Sequence, residues 1–181
     1  MRAREVTARR YAKALFLAAH DAGVADAVGR ELAGVFQTLD SHAEARGVLG
    51  RPWIKGEDRR RIAAALAEKS GAGRLVQNFA GLLAERRRMD HLQEIVWAYR
   101  ALLDESLGQA RATVRSAVSL GEQDKRQLAE RLGHVMGKRI ILEEQVDSTL
   151  LGGFVAQVGS FVLDGSLDGQ LAHMREQLTR G

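Results

Sequence analysis

The chain has 181 residues, 45% of them hydrophobic and 28% charged, with a formal net charge of +4 and no cysteine. That composition is too apolar for a disordered chain, and the length allows one core or two smaller ones. Without cysteine, disulfides, thiolate metal sites and cysteine nucleophiles are excluded, and a reducing compartment is tolerated.

No stretch reaches the roughly 18 consecutive apolar residues that a bilayer span needs. The opening Met1-Arg2-Ala3-Arg4-Glu5 lacks the apolar run of a signal peptide. Membrane association is therefore expected only through a partner. Charge is uneven: residues 1–105 carry 18 Lys and Arg against 14 Asp and Glu, whereas residues 106–181 carry 9 of each. A surplus of that size suits solubility or an acidic protein partner better than nucleic acid.

Residues 4–105 read as successive helices, because apolar positions recur every three or four residues with almost no period-two alternation. Val24, Val28, Leu32, Val35, Phe36 and Leu39 make one stripe. Leu75, Phe79, Leu82 and Leu83 make a second, and Leu92, Ile95, Val96, Tyr99, Leu102 and Leu103 a third. Each gives its helix one face to bury. Gly23 is placed to cap the first helix, Ser41 with Glu44 has capping-box spacing, and Gly50 with Pro52 breaks the chain before Glu57. Ser70, Gly71 and Gly73 mark the next turn. The segment predicts an antiparallel bundle of about six helices joined by short loops.

After Gly108 the texture changes. Ala112–Val118 and Arg139–Val146 are rich in β-branched residues, with helical Glu122–Met136 between them. Ser119 and Glu122 repeat the capping-box spacing. Gly153–Leu163 reads as a third extended stretch ending at Asp164 and Gly165, and Leu167, Leu171, Met174 and Leu178 give a last amphipathic helix. The expected fold is mainly α: a helical bundle over 1–106, then a small α+β domain over 107–181.

Motifs for chemistry are missing. There is no phosphate loop, and Gly152 and Gly153 precede an extended run where a dinucleotide fingerprint requires a helix. The histidines His20, His42, His91, His134 and His173 show no i,i+4 pair, and each reads as a surface or capping residue. His91 beside Asp90 cannot form a catalytic pair on an α-helix, where neighbours point to different faces. The arginine runs 59–61 and 86–88, with Trp53 near the first, leave one alternative function: a basic helical adaptor contacting nucleic acid. Such runs are more often solvated faces, and no broad basic stripe accompanies them. Neither catalytic, cofactor-binding nor metal-ligating residues are assigned.

Three segments resemble the delta subunit family of F-type ATP synthases, whose mitochondrial relative is the oligomycin-sensitivity-conferring protein. The first runs from Ala8 through Arg9, Arg10, Tyr11, Ala12, Lys13, Ala14 and Leu15 to Phe16. The second comprises Asn78, Phe79, Leu82, Leu83 and the Arg86–Arg88 run, where Arg86 and Arg87 stand in place of a frequent Asn-Gly and Arg88 matches the family's arginine. The third is Val146, Asp147, Leu150, Gly152, Gly153, Gly159, Asp164, Gly165, Ser166 and Leu167. Together they span essentially the whole chain.

The resemblance implies a non-catalytic stator subunit without cofactors, one copy per complex. Its helical domain would bind the N-terminal helices of the catalytic head's α subunits, and its second domain the b subunits of the peripheral stalk. It would sit at the cytoplasmic face of the bacterial plasma membrane, held there by the complex, with no direct nucleic-acid contact. Tyr11, Ala14, Leu15 and Ala18 form a stripe with small residues that lets a foreign helix approach, and Asn78, Phe79 and Leu82 form the second wall of a groove. The same residues could simply pack the bundle. Asp147, Gly152, Gly153, Asp164, Gly165 and Ser166 read as shapers of backbone, with Ser166 a helix cap. Leu167, Leu171, Met174 and Leu178 form a stalk-binding surface or a cover for their own sheet.

Overall fold

A computed structural model describes residues 2–159, 161–171 and 174, with side chains described from Arg4 onward. The chain divides into two compact units, Met1–Leu103 and Asp104–Gly181.

The first unit consists of α1 (Arg2–Asp21), α2 (Ala25–Ser41), α3 (Ala43–Gly50), α4 (Gly56–Lys69), α5 (Arg74–Glu85), a 3-10 turn at Met89–His91, and most of α6 (Leu92–Ser106). Its core takes an inward stripe from most of these helices and the single residue Leu49 from α3. Ala8, Ala12, Leu15 and Ala19 come from α1, Val28, Leu32, Val35 and Leu39 from α2, and Val76, Ala80 and Leu83 from α5. The three alanines of α1 keep its inward face thin, so helices approach closely there. Val24 is the exception to its predicted stripe: it precedes α2 and is 41% exposed.

Tyr99 shows how α6 is tied down. It is buried, packs edge-on against Phe16 with ring centroids 5.8 Å apart, and donates its hydroxyl to the Ala25 carbonyl at 2.8 Å. Burial, with the Asp26 charge second, pushes its phenol up to about 12. The folded state therefore favours the neutral phenol. The resulting stability is complete below the ordinary tyrosine value near 10 and is lost as pH rises from there through about 12. Tyr99→Phe should cost about 1 kcal/mol at neutral pH, by removing the hydrogen bond to the Ala25 carbonyl. In urea titrations of parent and variant, that gap should narrow between pH 10 and 12; a gap that stays constant would refute the assignment.

Both proposed capping boxes fail. α2 continues through Ser41, whose hydroxyl donates to the Thr38 carbonyl, so it never caps α3. α7 (Glu122–Met136) begins after Gly121 with no side-chain cap. Ser119 instead reaches Glu144 Oε2 at 3.4 Å, while the Leu120 amide donates to Glu144 Oε1 at 2.5 Å.

Helix ends α1, α4 and α5 close alike. At Gly23 and Gly71 the chain turns left-handed (φ +70° and +80°), and the following amide reaches back to a carbonyl five residues earlier: Val24 to Ala19, Ala72 to Ala67. At α5 the same closure, Arg88 to Leu83 at 2.7 Å, is made with Arg87 at φ +56°. A non-glycine residue in this region costs about 1–2 kcal/mol. Arg87 recovers part of that by donating to the Pro52 carbonyl at 3.0 Å. Arg87→Gly should stabilise the helical unit by about 0.5–1 kcal/mol, raising its melting temperature a few degrees. A lower melting temperature would show that the Pro52 contact outweighs the backbone strain.

The second unit is a four-stranded sheet in the order β2-β1-β3-β4, from β1 (Gln109–Ser116), β2 (Arg139–Val146), β3 (Phe154–Val158) and β4 (Phe161–Asp164). β1 and β2 are parallel, Gln109 opposite Arg139 through Ser116 opposite Val146, with α7 as the crossover. The third extended stretch is thus two strands. β3 and β4 form an antiparallel hairpin, Val158 opposite Phe161. α7 lays Leu128 and Leu132 against Ala112, Val114, Ala156 and Val158. At the start of β1, Arg111 donates to both oxygens of Asp104, at 2.7 and 3.2 Å, and to Glu143 at 2.8 Å, so the buried Asp104 carboxylate is matched.

Candidate helix-binding groove

An α-helix shows different stripes on faces about 100° apart, so a helix can feed a core on one side and a surface on the next. α1 and α5 both do this. α1 buries Ala8, Ala12, Leu15 and Ala19, and the adjoining stripe Thr7, Tyr11, Ala14 and Ala18 borders a groove. α5 buries Val76, Ala80 and Leu83, and turns Leu75, Asn78, Phe79 and Leu82 to the same groove. The space between them is about 690 Å³.

All seven residues assigned to the head-binding interface line this groove. Leu15 and Phe79, 3% and 8% exposed, belong to the core and form its floor. Tyr11 is half-buried and meets the Phe79 ring edge-on, centroids 6.4 Å apart. Ala14, Ala18 and Asn78 are exposed, as is Leu82 at 40%. Core and groove are therefore not alternatives for Leu15 and Phe79, because one side chain serves both. Thr7, Arg10, Leu75 and Arg88 complete the lining and were not assigned from sequence. Thr7, Arg10 and Leu75 lie one helical turn before Tyr11, Ala14 and Phe79, so extending the stripes by one turn would have found them.

The turn residues of the second unit are held by hydrogen bonds within and between their own turns. Asp147 Oδ1 accepts from the Thr149 amide and hydroxyl at 3.0 and 2.5 Å, and Asp164 Oδ1 accepts from the Ser166 amide and hydroxyl at 2.9 and 2.6 Å. The Ser166 hydroxyl in turn accepts from the Gly169 amide at 3.0 Å, capping the helical stretch 167–171. The Gly165 amide donates to the Phe154 carbonyl, and the Leu167 amide to the Gly152 carbonyl. The hydroxyl and amide donors hold Asp147 and Asp164 below the usual carboxylate range, and the Leu120 amide followed by Lys125 does the same for Glu144. Their contribution to stability is present above the ordinary carboxylate pKa and lost as pH falls through the lowered values.

Beyond these turns, Leu167, Leu171 and Met174 are 48%, 58% and 59% exposed. They leave an apolar stripe uncovered, joined in exposure by Leu151 and by Phe161, Val162 and Leu163 of the edge strand β4. Leu178 and His173 lie outside the described residues.

Two expectations are corrected. His91 is buried, not superficial, and because it sits on a 3-10 turn its Nε2 comes within 3.7 Å of Asp90 Oδ2, beyond hydrogen-bond reach. The first arginine run is not a solvated face throughout: Arg59 is 4% exposed, while Arg60 lies 3.5 Å from Glu85 and Arg61 pairs with Asp58. In the second run Arg87 donates to Pro52 and Arg88 lies 3.4 Å from His91 Nε2. Trp53 is exposed and takes the Arg51 guanidinium over its ring, 5.7 Å from the centroid.

Among the described residues no three His, Asp or Glu side chains are grouped to hold a metal, and no helix is long and apolar enough to cross a membrane. Fold and groove together define a class: a two-unit protein with a helical bundle that keeps an apolar trough open and a small sheet domain with an uncovered apolar stripe. The chain belongs to the ATP synthase delta (OSCP) subunit family, whose profile matches residues 7–178. It is 38% identical over 176 residues to the ATP synthase subunit delta of Syntrophobacter fumaroxidans, covering 97% of this chain and 96% of that one. With the same subunit of an Anaeromyxobacter species it shares 41% over 171 residues, covering 94% and 96%. The fold matches a chain in the cryo-EM structure of the Toxoplasma gondii mitochondrial ATP synthase hexamer, with a TM-score of 0.72 at 21% identity over 95% of this chain and 97% of that one.

Proposed function

We propose that this protein is the stator joint of an F-type ATP synthase, a non-catalytic strut that ties the catalytic head to the peripheral stalk. The observation that carries this reading is the α1–α5 groove, apolar at its floor and small-walled at Ala14 and Ala18. A trough of that kind receives the i, i+3, i+4, i+7 anchors of an amphipathic helix. Its occupant is the N-terminal helix of an α subunit, and Arg10 and Arg88 in the lining favour acidic residues flanking that helix's apolar face. The second unit offers Leu167, Leu171 and Met174 to the ends of the stalk's b subunits. One copy per complex, at the cytoplasmic face of the membrane, suffices. The rotor's torque would otherwise drag the head around, and proton flow would turn without making ATP.

The test uses the purified full chain and a synthetic peptide of the α subunit's N-terminal helix. Stoichiometric binding by calorimetry, with Leu82 and Asn78 amide resonances shifting, is expected. Membranes stripped of this chain should fail to rebind the catalytic head until it is restored. Rebinding without it would overturn the proposal.

A further inference from the structure

Arg59 opens an arginine run yet is buried, at 4% exposure, on the face of α4 that also buries Ala63 and Ala67. Its Nε and Nη1 are enclosed and meet no hydrogen-bond acceptor among the described residues. A guanidinium stays charged at every physiological pH and offers only donors. Enclosed without a counter-charge, it is strongly penalised, and protein interiors avoid that condition by pairing.

The side chain lines a cavity of about 290 Å³. Arg46 of α3, Arg87 after α5, and Asp90 share the lining with Leu49 and Met89. Three guanidinium groups thus face one carboxylate, and that carboxylate is engaged elsewhere: Asp90 Oδ2 accepts from Arg4 at 3.0 Å. Arg46 is bound to Asp40 at 2.6 Å and Arg87 to the Pro52 carbonyl at 3.0 Å. The cavity lining therefore gathers three guanidinium groups, of which Arg59 leaves its Nε and Nη1 without an acceptor among the described residues.

We infer that this cavity is a binding site for a small oxyanion of phosphate type, with Arg59 as its central ligand and Arg46 and Arg87 supporting. Such an ion would be hydrogen-bonded by a buried charged donor, the strong kind of contact. It would link α3, α4 and the end of α5 through one ligand, and so stabilise the helical unit.

The experiment is thermal unfolding of the full chain in chloride buffer, with sodium phosphate replacing chloride at constant ionic strength. A saturable rise of about 5 °C or more at phosphate tenfold above its Kd is expected. Titration calorimetry should show one phosphate per chain. Arg59→Met should abolish both responses and, by removing an unmatched buried charge, melt no lower than the parent in chloride. Should that variant not fold, Arg46→Gln is expected to weaken phosphate at least severalfold. Absence of a phosphate-specific response in the parent overturns the site. So does a response unchanged in Arg59→Met or Arg46→Gln, which would mean an adventitious ion only.

Discussion

Ala14→Arg is expected to weaken binding of the helix proposed for the groove, the α subunit's N-terminal helix, by roughly thirtyfold, about 2 kcal/mol, the scale of an interface hot spot. Ala14 is exposed on α1 and borders the groove, so a long side chain there occupies the trough that the guest helix needs. Its charge adds to Arg10, one turn earlier on the same lining, and desolvating it beneath a guest helix is unfavourable. The protein itself should tolerate the change. Arginine is nearly as good a helix former as alanine, and no core contact is lost. Far-UV dichroism and melting temperature should match the parent while affinity falls. Leu82→Ala supplies the comparison, since it removes apolar area from the wall without blocking it. Leu82 is already 40% exposed, so a loss of about 1 kcal/mol, near fivefold, is expected. Equal, unimpaired affinity in both variants would remove the groove from any part in anchoring.

The two stripes of the groove were readable because a helix face follows arithmetically from spacing: Tyr11, Ala14, Leu15 and Ala18 share a side whatever the fold. Their meeting with α5 is a different kind of fact. Tyr11 and Phe79 are far apart in the chain, and periodicity says nothing of which helices lie side by side; the family resemblance supplied that pairing. Local capping chemistry was the least legible part. Ser41 and Ser119 had the right neighbours in sequence, but a closer partner took each hydroxyl, the Thr38 carbonyl in one case and Glu144 in the other. The β3–β4 hairpin was missed because its strands are only 5 and 4 residues long, although Gly159 interrupts the apolar stretch between them. Arg59 was hidden by its company. A run of three arginines reads as solvated, yet Arg59, Ala63 and Ala67 recur every four residues and share the buried face of α4. Periodicity applied without regard to residue type would have placed it inside.

The third sequence motif carries the second large effect. Gly153→Ala should destabilise the C-terminal unit by about 3 kcal/mol or more, enough to consume a large part of a small domain's stability. Two causes add. Gly153 sits at φ +78°, where a side chain costs about 1–2 kcal/mol. A Cβ there would also stand 2.3 Å from the Gly165 carbonyl oxygen and 3.0 Å from Ser166 Cα, both main-chain atoms that cannot rotate away. Relief requires moving the segment that holds the Gly165–Phe154 and Leu167–Gly152 hydrogen bonds and the Asp164–Ser166 cap. Gly159→Ala separates the two causes. It has φ +59° with nothing within 4 Å of its Cβ, so only the conformational cost of about 1–2 kcal/mol should remain. Chemical denaturation followed by amide resonances of each unit would measure both. The helical unit should be untouched in either variant, because the two units have separate cores. If Gly153→Ala costs no more than Gly159→Ala, the close approach at Gly165 does not constrain the fold. The Asp-Gly-Ser turn would then have to owe its place in the motif to something other than packing.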